Sequence, residues 1–209
     1  MKNPALMTLV TLLPLLALSA ILTAPSPARG QDPVLYGLKA RMGGRYDDVR
    51  MCVATPAGVS GGPAMDVSAF ASWRIHDGVR LELDLPVMRP ILFGAAFRML
   101  QFEPSVMLTF LLAKSPRRQY RAGPVAGLSF HYGPDEDSEP SGEGRTASFF
   151  AMGPTGGGYA DVTFLRPRGS FDVRVGLTLY TTRLFSLDDE ADHQGLVAGG
   201  SLDIGFLFH

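Results

Sequence analysis

The chain has 209 residues, with 19 Lys and Arg against 20 Asp and Glu and a formal net charge of −1, a balance that leaves no basic surface for nucleic acid. Its single cysteine, Cys52, excludes an internal disulfide and any zinc site built on a cysteine cluster. The 24 glycines and 10 % aromatic content are compatible with an all-β barrel, a fold that stabilises an exported domain lacking disulfides by closing its own sheet.

Residues 1–28 read as a secretory signal. Lys2 supplies a positive start, Leu9 to Leu22 an apolar run, and Ser26-Pro27-Ala28 small residues where a signal peptidase cuts, so cleavage is expected after Ala28. Pro14 interrupts the run, which falls short of the roughly 20 residues of a spanning helix. No cysteine lies near the cut to carry a lipid anchor. The mature chain, residues 29–209, suits one domain.

Eight strands are expected, over residues 34–42, 65–75, 79–87, 99–112, 119–132, 147–165, 170–185 and 195–209. The second and third flank His76-Asp77-Gly78, and Asp-Gly between two arms of period two is a strong hairpin signal. A three-residue loop there pairs Ile75 with Val79, Trp73 with Leu81 and Ala71 with Leu83. The connections alternate between long (43–64, 88–98, 133–146, 186–194) and short (76–78, 113–118, 166–169). Long loops on one rim, short turns on the other and an even strand count are the layout of a transmembrane β-barrel.

The strand faces separate by the same period. Tyr36, Leu38 and Ala40, then Tyr120, Ala122, Pro124, Ala126, Leu128 and Phe130, then Phe171, Val173, Val175, Leu177 and Leu179 make apolar faces. The opposite faces carry Lys39, Arg41, Asp66, Arg74, Arg80, Glu82, Asp84, Glu103, Arg121, Asp161, Asp172, Arg174 and Asp203. A soluble barrel turns such charges to water. A membrane barrel turns them inward, where they must pair because isolated buried charges are costly. Eight strands leave an interior just filled by side chains, and Gly37, Gly123, Gly127, Gly176, Gly199 and Gly205 alternate with the long charged residues on that face. Trp73, Tyr120, Phe164, Phe171 and Phe206 fall near the short-turn rim as an aromatic girdle. These patterns favour the membrane reading: an all-β, eight-stranded, antiparallel up-and-down transmembrane barrel with a charged interior.

Over nearly all of residues 31–209 the chain resembles the small eight-stranded outer-membrane barrels of Gram-negative bacteria. Its most specific piece is the end, Gly200 to Phe208, where Leu202, Ile204, Phe206 and Phe208 alternate like the terminal strand signal of that family, with His209 following. The resemblance implies residence in the bacterial outer membrane after export through the inner membrane. It implies outer-membrane lipid and the barrel-assembly machinery as partners, a monomer, no nucleic acid and no cofactor. The family hosts adhesins, anchors, small pores and a few lipid-modifying enzymes, so fold does not settle function.

Ser129 and His131 share a face of the fifth strand, with Glu143 in the loop beyond. Lipid A deacylases of this fold use a His, Ser and Glu set in such a place, the His acting as general base. Here the order is reversed and the flanking residues differ, and an interior polar pair is the alternative. Two acidic runs, Pro134 to Gly144 and Leu187 to Asp192, lack the spacing of a calcium loop, so no metal is expected. The short-turn rim is basic, with Lys114, Arg117, Arg118, Arg166 and Arg168. Gly153 to Gly158 lacks the Lys of a phosphate loop and reads as a kink in the sixth strand. A four-residue turn at Arg166-Pro167-Arg168-Gly169 sets Phe164 against Phe171, Val162 against Val173 and Asp161 against Arg174. The function expected is a non-enzymatic, structural or surface-interaction role with exposed acidic loops. The alternatives are a deacylase-like enzyme or a narrow channel.

Overall fold

The structure is a computed structural model and describes residues 34–47, 62–89, 91, 100–135, 147–166, 170–187 and 195–208. The expected signal segment, Cys52, Glu143, Arg168 and the acidic runs beyond Asp135 and Leu187 lie outside the described residues.

The strands are β1 (Val34–Asp47), β2 (Gly62–His76), β3 (Val79–Pro86), β4 (Leu100–Phe102), β5 (Ser105–Ser115), β6 (Arg118–Asp135), β7 (Ala147–Phe164), β8 (Phe171–Ser186) and β9 (Gly195–Phe208). Neighbours pair antiparallel, and β9 returns to β1 over twelve positions, from Tyr36↔Phe208 to Asp47↔Val197. The sheet therefore closes into a ring of β1, β2, β3, β5, β6, β7, β8 and β9, since β6 also pairs with β7. β4 and β5 both pair with β6 and together make one barrel strand. Their break falls at Glu103-Pro104, where proline has no N–H to give the ladder. The ring thus has the eight barrel strands expected, the fourth one interrupted.

Period-two alternation decides which side chains enter the lumen. In β1, Leu35 and Lys39 are buried, whereas Tyr36 and Leu38 are 61 % and 50 % exposed. In β9, Asp203 and Leu207 are buried, whereas Leu202, Ile204, Phe206 and Phe208 are exposed. Charge lies inside and apolar surface outside, the inverse of a water-soluble protein and the arrangement a bilayer requires. The lumen also holds three apolar clusters: Leu35 with Phe70 and Leu207, Met107 with Val125 and Tyr159, and Ala151 with Leu184 and Val197. The rings of Phe70, Tyr159 and Tyr180 occupy the space that a Cβ at Gly37, Gly176 and Gly199 would claim, so each large side chain meets a small one, as close packing demands.

Two hairpin registers differ from those expected. In the first hairpin, Trp73↔Leu81 and Ala71↔Leu83 hold, but His76 rather than Ile75 pairs with Val79, and a bulge between Arg74 and His76 absorbs the extra residue. The turn is then Asp77-Gly78, with Gly78 at φ 78°, where a side chain would be strained. In the β7–β8 hairpin, Phe164 pairs with Val173, Val162 with Val175 and Asp161 with Gly176. Asp161 is therefore not opposite Arg174. The connection begins before Arg166, whose backbone N–H donates to the Asp172 carboxylate at 2.7 Å, so it is longer than a four-residue turn and shifts the ladder by two. Across Gly153 to Gly158 the register is the same on both sides, with the pairs to β8 interrupted at Gly153 and Pro154.

Candidate functional site

The middle of the lumen is closed by a belt of charge. Glu82 accepts from Lys39 Nζ at 2.8 Å and, through both oxygens, from the Arg174 guanidinium at 2.7 and 2.9 Å. Asp84 pairs with Lys39 and accepts from Arg41 Nη2 at 2.8 Å. Asp203 lies 3.6 Å from Arg41 Nε and accepts from Thr178 and Ser201 at 2.6 and 2.8 Å. β3 and β8 stand four places apart in the eight-membered ring, so the Glu82–Arg174 pair spans the lumen from side to side. Phe70 and Tyr159 flank it: the Arg174 guanidinium lies 4.4 Å and 5.7 Å from their ring centres, and Lys39 Nζ 5.1 Å and 5.5 Å. Lys39 and Asp84 are wholly buried. A fork–fork bond to a carboxylate that also holds an ammonium answers the desolvation cost of burying three charges.

Towards the long-loop end a second cluster gathers on Glu103. It accepts from Arg45 Nη1 at 2.7 and 2.9 Å, from Arg89 Nη1 at 2.9 Å and from Ser129 Oγ at 2.9 Å. Arg89 comes from the connection after β3, where its backbone N–H donates to Asp66 at 2.9 Å and its Nε lies 3.7 Å from the same carboxylate. A cavity of about 60 Å³ lies beside this cluster, lined by Arg41, Asp66, Arg89, Glu103 and Tyr180 among others, with room for only a few molecules the size of water.

Ser129 and His131 are brought together here, with Oγ 3.1 Å from Nε2. Both are fully buried. Among the described residues the carboxylate at this pair is Glu103, and it approaches Nε2, at 3.5 Å, while Arg45 Nη2 lies 3.2 Å from the same nitrogen. Nδ1 has no hydrogen-bond partner among the described residues. A serine relay needs the acid on the nitrogen remote from the serine, where it fixes the tautomer. Instead, serine, carboxylate and guanidinium crowd one nitrogen inside the barrel, away from the outer surface on which a lipid chain would lie.

The remaining expected residues fall as follows. Arg74 and Arg80 face each other across β2 and β3, and Arg121 Nη1 donates to the Gly78 carbonyl at 3.3 Å. Asp161 accepts from Thr163 Oγ1 at 3.1 Å and stands opposite Arg121 in the β6–β7 ladder. Asp172 binds the Arg166 backbone. On the outer face Tyr120, Phe164 and Phe206 are exposed, and Trp73 and Phe171 are half-buried. Arg118 lies 5.6 Å from the Phe164 ring centre and Arg166 4.8 Å from that of Phe171. Phe171 also packs edge-on against Phe206 at 5.8 Å and beside Phe208 at 6.5 Å.

Sequence reading missed Arg45, Arg89 and a second set of outer aromatics at the other end of the barrel. Phe102 stacks on Phe130 and Tyr132 meets Phe150, each at 6.4 Å. Arg45 was legible, since it continues the odd-numbered inward series of β1 past Gly43. Arg89 carries no periodic signal.

No protein-family model matches the chain, and no curated protein matches it in sequence. Among solved structures it is similar to Neisserial surface protein A (NspA), with a TM-score of 0.53 and 10 % identity over 83 % of this chain and 96 % of that one. It also matches the N-terminal β-barrel domain of Pseudomonas aeruginosa OprF, with a TM-score of 0.41 and 15 % identity over 83 % and 97 %. At such identities the likeness is one of fold, the small eight-stranded barrel.

Proposed function

We propose that the protein is a non-enzymatic barrel of the bacterial outer membrane. In this reading it is exported by the segment ending near Ala28, crosses the bilayer with its short turns and both ends of the barrel on the periplasmic side, and displays long, acidic loops at the surface. Its role is structural or one of surface interaction, with no cofactor and no metal. The observation that carries this reading is the Glu82–Lys39–Arg174–Asp84 belt. It spans the lumen between opposite strands and fills its middle with paired charge, while the outer surface is apolar and bears aromatic residues near its ends. The resemblance of fold to a protein named as a surface protein supports the same class.

The reading is tested by fractionation and transport together. The mature chain should sediment with outer-membrane lipid, run as a monomer whose gel mobility shifts on boiling, and leave liposomes impermeable to disaccharides. Protease added to intact cells should cut within residues 136–146 and spare the Pro116-Arg117 turn. Rapid swelling with a disaccharide would make it a pore, and cleavage at Arg117 would invert the orientation. Purified protein that deacylates lipid A would overturn the non-enzymatic reading.

A further inference from the structure

At the turn end of the lumen three arginines converge. Arg74 and Arg80 are directly opposed across β2 and β3. Arg121 reaches from β6 past β5 to the Gly78 carbonyl, which sets its guanidinium beside the same turn. The three charges lie close enough to act on one another. Among the described residues none of the three forms an ion pair, and Arg80 Nη1 is buried without an acceptor. The neighbouring carboxylates are engaged elsewhere: Glu82 holds Lys39 and Arg174, and Asp172 holds the Arg166 backbone. Asp161, opposite Arg121, accepts from Thr163 through one oxygen, while its second oxygen is buried without a donor and within 4 Å of no guanidinium nitrogen.

Like charges directly opposed on an antiparallel pair destabilise it, and the penalty grows where the surroundings are less polar than water. Guanidinium groups are planar forks that match the geometry of an oxyanion, each offering two parallel N–H bonds. Three half-buried forks at one mouth, acted on by Asp161 and Glu82 from a distance but none in ion-pair contact with a carboxylate among the described residues, form the cradle such an anion needs. We propose that the turn-side mouth of the barrel is an anion site, in which Arg74, Arg80 and Arg121 hold an oxyanion of the phosphate class. The site does not depend on the cellular role proposed above, because it is read in detergent on the purified barrel.

The experiment is a phosphate titration of the detergent-folded protein at constant ionic strength, with chloride as the balancing anion and the thermal midpoint as readout. The wild-type midpoint should rise with the logarithm of phosphate concentration once that concentration exceeds the dissociation constant. Arg80→Gln and Arg74→Gln should each weaken the apparent affinity about tenfold, the equivalent of one charge-assisted hydrogen bond. Arg117→Gln, on the exposed turn outside the lumen, should leave it unchanged. Asp161→Asn removes a nearby negative charge and should tighten binding. Adding phosphatidylglycerol to the micelle at low phosphate separates the sources: a lipid headgroup raises the midpoint by itself where phosphatidylcholine does not, whereas a soluble anion leaves both lipids without effect. Absence of such a rise, or a rise with the same concentration dependence in both arginine variants, overturns the site. So does a loss of stability in phosphate-free buffer shared equally by Arg80→Gln and Asp161→Asn, which would show the arginines neutralised from within.

Discussion

The middle of the lumen and its turn-side mouth are built from the same residue types on neighbouring strands, and they treat them differently. Arg174 in the middle is buried and shares both oxygens of Glu82, with aromatic rings on either side. Arg80, one inward step along β3 from Glu82, faces another arginine and has a buried nitrogen without an acceptor. The difference lies in what stands across the ring. Glu82 points towards β8, four strands away, and meets a cation there, whereas the mouth gathers cations from β2, β3 and β6. Depth inside a barrel therefore does not dictate pairing. Whether a counter-charge reaches across the lumen does.

This contrast can be broken most severely at Glu82. Glu82→Ala strands the buried Arg174 guanidinium and leaves Lys39 with Asp84 alone, and should lower the free energy of unfolding in urea by roughly 3–5 kcal/mol. A loss below about 1 kcal/mol would mean that water already solvates the belt. A charge placed on the opposite face of the same wall comes next. Leu177→Arg sets a guanidinium against lipid at mid-strand and should cost about 2–4 kcal/mol in vesicles, and an unchanged midpoint would show that β8 is not embedded there. Smaller still is the coupling between partners. Glu82→Ala and Arg174→Ala should be non-additive by about 0.5–3 kcal/mol, whereas Asp161→Ala and Arg174→Ala, which are diagonal neighbours without an ion-pair contact, should couple more weakly. Coupling in the second cycle as strong as in the first would restore the register that places Asp161 opposite Arg174. The smallest effect belongs to the mouth: in phosphate-free buffer Arg80→Gln should change stability by no more than about 0.5 kcal/mol, or raise it, since it removes repulsion rather than a bond.

Alternation of side chains along each strand was enough to sort the chain into eight walls and to divide lipid face from lumen, because period two is a property of the backbone. It does not say which inward residue meets which across the ring. The pairing of Glu82 with Arg174 depends on the order and stagger of strands far apart in the chain, and nothing local encodes it. Register is legible only where the turn is. At Asp77-Gly78 most of the ladder follows from the dipeptide, and the error is confined to Ile75 in the bulge. After Phe164 the Arg-Pro-Arg-Gly sequence imitates a short turn, yet Asp172 captures the Arg166 backbone and lengthens the connection. Ser129 and His131 were legible as neighbours. Glu103 reaches them from the break beside Pro104, and Arg89 joins from a connection. Function was the least legible, since the charges that cross the lumen are spread over four strands and resemble no motif.

The seam between β1 and β9 sets the order in which this molecule can come into being. Its twelve pairs join residues near opposite ends of the chain, so every intermediate short of completion carries two unsatisfied edges, one on the first strand and one on whichever strand was added last. Such edges invite pairing with other chains, and contacts of such long sequence separation form slowly. The barrel is thus all-or-nothing in assembly: its first strand must be kept from aggregating until the last residues, Phe206 to Phe208, arrive to close the ring.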